Sequence, residues 1–351
     1  MASKQVSRSA NQAGKSNTPS SRGFDKDLAE FEAFSESLRL QPVPDAAQVA
    51  YLRKTLTHKS NFLVSKAAKL VADTELVVLL PDVLTAYERF FTDAAKTDPQ
   101  CWAKSALSKA LVKLGHRTVA EYLRGMRHHQ MEASWGPPVD TAGALRGTCT
   151  HALVDCPGIS DSDLLTALLG PLTDSDKTVR MEAARAIGQV GGVSAMLILR
   201  LRAMLGPEQT AQEEPEVLGE VYRSLLSLEG AHAIPVVASR LEPGDELAGE
   251  AAFALAELRT PEALQPLLAR LQSGPDTWFT GILLSAIALT RLPEAIDFLI
   301  SLIERDGREA SAAIEAIGRM VPNADLRTRV KLVVDQSGSP RLQQAFRQHL
   351  P

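Results

Sequence analysis

A small residue followed by an aliphatic one recurs down this 351-residue chain at Ala110-Leu111, Ala152-Leu153, Ala186-Ile187, Ser224-Leu225, Ala254-Leu255, Ala288-Leu289 and Ala316-Ile317. Successive occurrences lie roughly 28 to 42 residues apart, the period of a unit built from two helices. Such a chain grows by adding units along one axis, so its length does not set a domain count. The sharpest copy spans residues 176–192, where Val179, Ala183, Ala186, Ile187 and Val190 follow helical spacing. Asp174, Ser175 and Asp176 precede it as candidate N-caps and place negative charge at the positive end of the helix. Gly191-Gly192 follows as a stop signal. Ala183, Ala184, Ala186 and Gly188 are small, so a neighbouring helix can approach closely. Ile187 belongs to the apolar face. Arg180 falls on the opposite side, and its loss is expected to cost no more than about 1 kcal/mol if it is exposed.

Read in order, residues 1–23 form an acid-free stretch rich in Ser, Asn, Gln and Gly that carries Lys4, Arg8, Lys15 and Arg22. Transit peptides share that composition, but no amphipathic apolar face is present, so a disordered basic tail is expected. Phe24, Leu28, Phe31, Phe34 and Leu38 then share one face of a helix suited to capping the first repeat. Paired helices follow at 46–58 and 60–72, 76–95 (with Pro81 as a kink) and 100–114, 119–132 and 141–154, and 164–172 and 178–190. Further pairs are 193–205 and 217–228, 233–241 and 246–258, 263–271 and 277–292, and 295–304 and 309–321, with 326–334 and 340–349 closing the array. The first helices also repeat: 261–271 (PEALQPLLARL) and 293–303 (PEAIDFLISLI) are close copies, and 231–241 (AHAIPVVASRL) is a weaker one. Pro-Glu suits a helix start, where proline loses no needed hydrogen bond and glutamate complements the dipole.

Composition agrees. Aromatic residues make up only 5% of the chain, while Ala and Leu are abundant, which favours helices over a β-sandwich. The net charge of −4 is too small to imply a partner, but it is unevenly spread. Residues 1–160 hold 20 Lys and Arg against 16 Asp and Glu, and residues 161–351 hold 18 against 26. Cys101, Cys149 and Cys156 are odd in number and form no CxxC, so no disulfide framework is possible and a reducing, cytoplasmic setting is expected. No run is long and apolar enough to be a membrane span, and no signal-peptide core is present.

Residues 179–192 (VRMEAARAIGQVGG) and 309–322 (EASAAIEAIGRMVP) nearly match one pattern of valine, acid, paired alanines and Ala-Ile-Gly. This pattern resembles the HEAT-repeat family, in particular the short HEAT-like repeats also found in phycobilisome lyases. The resemblance is strongest over about 161–320, moderate over about 97–160 and weak before that. It implies an all-α fold, an α-solenoid of about eight to nine antiparallel helix pairs wound into a HEAT-like superhelix. The expected organisation is a tail over 1–23, a capping helix with divergent repeats over 24–160, and HEAT-like repeats with a C-terminal cap over 161–351. The motif specifies architecture and is nearly silent on function.

Enzymatic relatives of this kind are tested by their ligands. Deoxyhypusine hydroxylase, which the array resembles, holds two irons with His-Glu pairs on successive repeats. None of His58, His116, His128, His129, His151, His232 and His349 is followed by glutamate. No residue set suits the bilin attack of the lyases. His128 and His129 follow Arg124 and Arg127 on one expected helix with Glu132 at helical spacing, but one helix supplies only a partial metal site, and a solvated polar face is the simpler reading. Cys149, His151 and Cys156 fit no zinc pattern, and buried structural thiols are the common case. No cofactor and no metal are expected. Trp102 and Trp278 fall inside helices and are expected in or near the core, whereas Trp135, in the loop 134–139, is a candidate binding anchor.

The expected function is therefore a non-enzymatic scaffold or adaptor that holds a protein or peptide along the concave face lined by the second helices. The candidate contacts are Lys104, Lys109, Lys113, Arg117, Arg124, Arg127 and Trp135. Residues 51–130 hold 13 Lys and Arg against 7 Asp and Glu, so a nucleic-acid backbone is the alternative partner, as in DNA glycosylases built from HEAT-like repeats. A lyase or modification-accessory role is a second alternative.

Overall fold

The computed structural model describes residues 19–39, 44–205 and 213–350, with the side chains of 19–22 and 39 left undescribed. The chain divides into two compact units, residues 1–116 and 117–351. Residues 1–18, most of the expected tail, lie outside the described residues, as does most of the polar loop 206–215. Apart from one two-stranded hairpin, the regular structure of the described residues is helical.

In the first unit, α1 (Pro19–Arg39) begins several residues inside the stretch expected to be a tail. It is followed by α2 (Ala46–Leu56), α3 (Asn61–Asp73), α4 (Leu80–Arg89), the single turn α5 (Ala94–Thr97) and α6 (Trp102–Lys113). α2 packs on α3, α4 on α6, and α3 along α6, which gives two helix pairs side by side. Pro81 does not kink a long helix. It sits in the first turn of α4, where its missing N–H costs nothing, and a short 3-10 turn over Val77–Leu79 precedes it. The connection from α4 to α6 is folded tightly around Asp98, which is fully buried. It accepts hydrogen bonds from Asn61 Nδ2 at 2.9 Å and from the backbone amides of Ala103 and Lys104 at 2.8 and 3.0 Å.

The second unit contains α7 (Val119–Met126), β1 (Met131–Glu132), β2 (Val139–Asp140), α8 (Gly143–Ala152), α9 (Asp161–Leu172), α10 (Lys177–Val190), α11 (Gly192–Leu205) and α12 (Pro215–Glu229). It continues with α13 (Ile234–Ala238), α14 (Glu246–Glu257), α15 (Pro261–Gln272), α16 (Thr277–Thr290), α17 (Pro293–Glu304), α18 (Ala310–Arg319), α19 (Ala324–Ser337) and α20 (Pro340–His349). Each odd-numbered helix from α7 packs on the even-numbered helix after it, and α8, α10, α12, α14, α16, α18 and α20 pack successively into one row.

The starts of these helices are written in the sequence. Asp176 is the cap of α10, accepting from the amides of Thr178 and Val179, and Asp45, Asp245, Asp276 and Asn323 cap α2, α14, α16 and α19 in the same way. Gly191, at φ 73°, ends α10. Helices α15 and α17 open with Pro-Glu in their first turn, as their sequence indicates. Val179, Ala183, Ala184, Ala186 and Ile187 are buried together. Arg180 is not exposed. Its side chain is almost fully buried, donates to the Asp174 carbonyl at 2.6 Å, and pairs with Glu213 at 3.1 Å and with Glu214.

Two departures are informative. The helix expected over 119–132 stops at Met126, and the chain turns out into the β1–β2 hairpin, whose register pairs Met131 with Asp140 and Glu132 with Val139. In α16 the buried small-aliphatic pair is Ala286-Ile287, while Leu289 is only half-buried. The helix is apolar on every side, so its periodicity does not select one register.

A brace recurs between first helices. Arg89 of α4 donates to the carbonyls of Leu56, Thr57 and His58 at the end of α2. Arg240 does so to Ala203 and Met204 of α11, and Arg270 to Leu241 and Glu242. Each guanidinium satisfies the orphan carbonyls of the preceding first helix and neutralises the negative end of its dipole.

Candidate functional site

The expected basic contacts divide between the two units, and one of them is not at the surface. Lys104 is fully buried, and its Nζ donates to Asp98 Oδ2 at 2.9 Å and to the Phe90 carbonyl at 3.3 Å. A charge removed from water needs such a partner, so Lys104 is a core ion pair and not a surface cation. Lys109 is exposed on α6, and Lys113 is held by Glu75 at 2.9 Å. Arg117, Arg124 and Arg127 belong to the second unit and are exposed, with Arg127 closing the C-terminus of α7. Arg127 lines a cleft of about 490 Å³ together with Met126, His129, Gly170, Pro171 and Asp174.

His128, His129 and Glu132 are not on one helix. They belong to the base of the hairpin, which is clasped by Arg146. This arginine is 1% exposed; its Nε and Nη2 donate to Asp174 at 2.8 Å each, and its Nη1 donates to Asp140 at 2.6 Å and to the His128 carbonyl at 3.2 Å. His129 Nδ1 meets Asp140 Oδ2 at 2.9 Å, and Glu132 accepts from Gln130 at 2.6 Å and Thr141 at 2.8 Å. Burial alone would push the Asp140 carboxyl up, but two backbone amides, His129 and Arg146 hold it well below the usual carboxylate range. Asp174 is likewise held down by Arg146 and the Asp176 amide against the effect of burial. The clasp fixes a hairpin whose tip presents Trp135 fully to solvent.

Trp102 and Trp278 are not core residues. They are 49% and 50% exposed, each in the first turn of a second helix, and all three tryptophans of the chain therefore present indole to solvent. Trp102 meets Phe62 edge-on with ring centres 5.6 Å apart, and Trp278 stacks beside Phe279 at 6.2 Å. The expected burial followed from their helical placement. The surrounding periodicity carries the missed signal, since Trp102 falls on the same helix face as Lys109, and Trp278 on the same face as Ile282 and Ser285.

Along the row of even-numbered helices, basic and acidic side chains alternate in a ladder. His151 of α8 lies 3.2 Å from Glu182 of α10, and Arg185 bonds Glu182 at 2.9 Å and Glu220 of α12 at 3.0 Å. Arg223 lies 3.5 Å from Glu220 and bonds Glu250 of α14 at 3.1 Å. Burial would raise the Glu182 carboxyl, but His151 and Arg185 hold it below its ordinary value. At the other end of the ladder, burial and three neighbouring glutamates raise Glu250 despite Arg223. Beyond Glu250 the ladder stops, because α16 carries no charged side chain.

Cys101, Cys149 and Cys156 are buried and form no disulfide, and burial pushes the Cys156 thiol up to about 11. Among the described residues there is no group of three or more His, Cys, Asp or Glu placed to hold a metal ion, and no helix is long and apolar enough to cross a membrane. Residues 247–273, from α14 through α15, match the family model of the PBS lyase HEAT-like repeat. Among solved structures, the crystal structure of an engineered protein from a structural genomics consortium is similar, at 17% identity and a TM-score of 0.35, over 91% of this chain and 93% of that chain. No curated protein matches.

Proposed function

We propose that this array of helix pairs, one stretch of which matches a HEAT-like repeat, is a non-enzymatic scaffold or adaptor that binds a protein or peptide partner along the row of second helices. The observation that carries this reading is the exposure of all three tryptophans in a chain whose aromatic content is 5%. Tryptophan usually gains most by burial, and one left on a rigid surface is the residue type that dominates binding energy when a partner covers it. Each of the three is held by its frame: Trp102 and Trp278 by helices, Trp135 by the hairpin clasped through Arg146. The alternating ladder of Glu and Arg supplies a polar surround of the kind found at interface rims. Three buried thiols that form no disulfide support a reducing, cytoplasmic setting. The repeat organisation into a capping segment, divergent repeats and a regular C-terminal array is part of the same reading.

A nucleic-acid backbone finds less support as the partner. Lys104 is buried against Asp98, while Lys113 is paired with Glu75 and Lys66 with Glu32 at 3.8 Å, so several cations of the basic stretch are already matched. The test is capture of partners from nuclease-treated lysate by the wild type and by a variant carrying Trp102→Ala, Trp135→Ala and Trp278→Ala, with circular dichroism confirming that both are folded. The same protein partner should be retained by the wild type and depleted on the variant. Equal capture by both, or capture that disappears with nuclease, rejects the reading.

A further inference from the structure

In most of the row, the solvent side of a second helix is charged. Helix α10 offers Glu182 and Arg185, α12 offers Arg223 beside Glu220, and α18 offers Glu315 and Arg319. Helix α16 departs from this rule. Its outward positions are Trp278, Ile282, Ser285 and Leu289, spaced along one face, with Trp278 half exposed. The Trp278 ring extends toward α14: a Cβ built on Gly249 would lie 4.0 Å from it and 3.6 Å from Ile282 Cγ2. The apolar strip therefore continues onto the edge of α14.

That edge is acidic. Glu246, Glu250 and Glu257 lie on one face of α14 around the half-buried Phe253, and the helix contains no basic residue. Glu246 and Glu257 are exposed and have no cationic partner among the described residues. Glu250 has Arg223, but it is half-buried and surrounded by Glu216, Glu220 and Glu257. On the opposite flank the cations that reach α16 from α18 and the turn before it, Arg308 and Arg319, are engaged, and Arg305 at the end of α17 is exposed. Arg319 bonds Glu315 at 2.6 Å, with Ser285 Oγ at 3.4 Å, and Arg308 donates to Thr277 Oγ1 at 2.8 Å. On α14 itself, the charge left without a partner beside the apolar strip is negative.

We propose that the outward face of α16 and the acidic edge of α14 form the docking surface for a basic, apolar segment of a partner protein, its apolar side chains on Trp278 and Ile282 and its lysines or arginines against Glu250 and Glu257. The proposal rests on the scaffold reading above and adds the chemistry of what one of its tryptophans receives. A lysine or arginine stem can lie along Phe253 while its head meets the carboxylates, and a cation near the Trp278 face gains further from the indole. An acidic segment would place like charge against Glu250 and Glu257, which disfavours it at close approach.

The probe is a fluorescein-labelled short amphipathic peptide of leucine and lysine, titrated by anisotropy into the full chain, with a leucine–glutamate peptide as its counterpart. Urea unfolding verifies that each variant is folded. The lysine peptide should bind and the glutamate peptide should bind at least about tenfold more weakly. Trp278→Ala should weaken the lysine peptide by roughly tenfold or more. Glu257→Gln should weaken it by about two- to fivefold and flatten its salt dependence. Lys331→Gln on α19 should leave binding unchanged. Equal binding of the two peptides, or wild-type binding by both Trp278→Ala and Glu257→Gln, overturns the proposal. If that happens while capture from lysate still depends on the tryptophans, only the chemistry assigned to this surface falls. Loss of tryptophan dependence in the capture experiment removes the scaffold reading itself.

Discussion

Arg146 shows what one residue can hold. Its guanidinium satisfies Asp140, Asp174 and the His128 carbonyl at once, and it joins the hairpin, α8 and the turn before α10. Arg146→Ala leaves two carboxylates buried without their partner, and a loss of about 3–5 kcal/mol is expected in urea unfolding. The same cluster sets a pH dependence. Asp140 and Asp174 have folded pKa values below their unfolded values, so their contribution is fully present above the unfolded aspartate pKa of about 4 and is lost as pH falls through the folded values. Stability should therefore decline from about pH 5 downward, and Asp140→Asn should flatten that decline while lowering stability at neutral pH. A decline of equal slope in the variant would remove Asp140 from this account. Arg180 belongs at this scale too. With its side chain packed against Glu213, Glu214 and the Asp174 carbonyl, Arg180→Ala should cost about 2–3 kcal/mol, more than an exposed arginine would, as measured by the shift of the urea midpoint.

At the scale of elements, the second helices depend on small residues where they cross. Gly318 of α18 lies so close to the backbone of His349 in α20 that any Cβ there would collide with the carbonyl oxygen. Backbone cannot swing aside as a long side chain can, so Gly318→Ala should displace the last helix and cost about 1–3 kcal/mol. Faster amide exchange confined to α19 and α20 would be the signature; unchanged exchange there would show that the contact relaxes without cost. Gly318 ends the Ala-Ile-Gly motif that is visible in the sequence, but the reason for glycine is visible only when α20 is in place. Helix caps are different. Asp176 lies just before its helix, and its partners are the next amides in the chain, so its role is local and legible.

For the whole molecule, the relevant property is that each helix pair touches mainly its neighbours. Ile187 is fully buried, so Ile187→Asp places an unpartnered carboxylate in the core of the α9–α10 pair at a cost of several kcal/mol. In an array of this kind the damage passes first to adjoining pairs. Hydrogen exchange should show α8 to α12 opening first, with the first unit, residues 1–116, keeping its protection. Simultaneous loss of protection throughout the chain would mean that stability is not partitioned by repeats.

The helix pairs and their caps were readable from the chain alone, because 3.6-residue periodicity, cap chemistry and Pro-Glu starts act over a few residues. The same local information misread α16, which is apolar on all sides, and ran a helix through 127–132 where the clasp around Arg146 pulls the chain into a hairpin. It also counted Lys104 among surface cations and placed Trp102 and Trp278 in the core. Burial and charge pairing at these positions depend on residues tens of positions away: Asp174 lies 28 from Arg146, and Glu213 lies 33 from Arg180. Periodicity says which residues share a face of a helix. Only the packing of one helix pair against the next decides whether that face meets another helix, an ion pair or water.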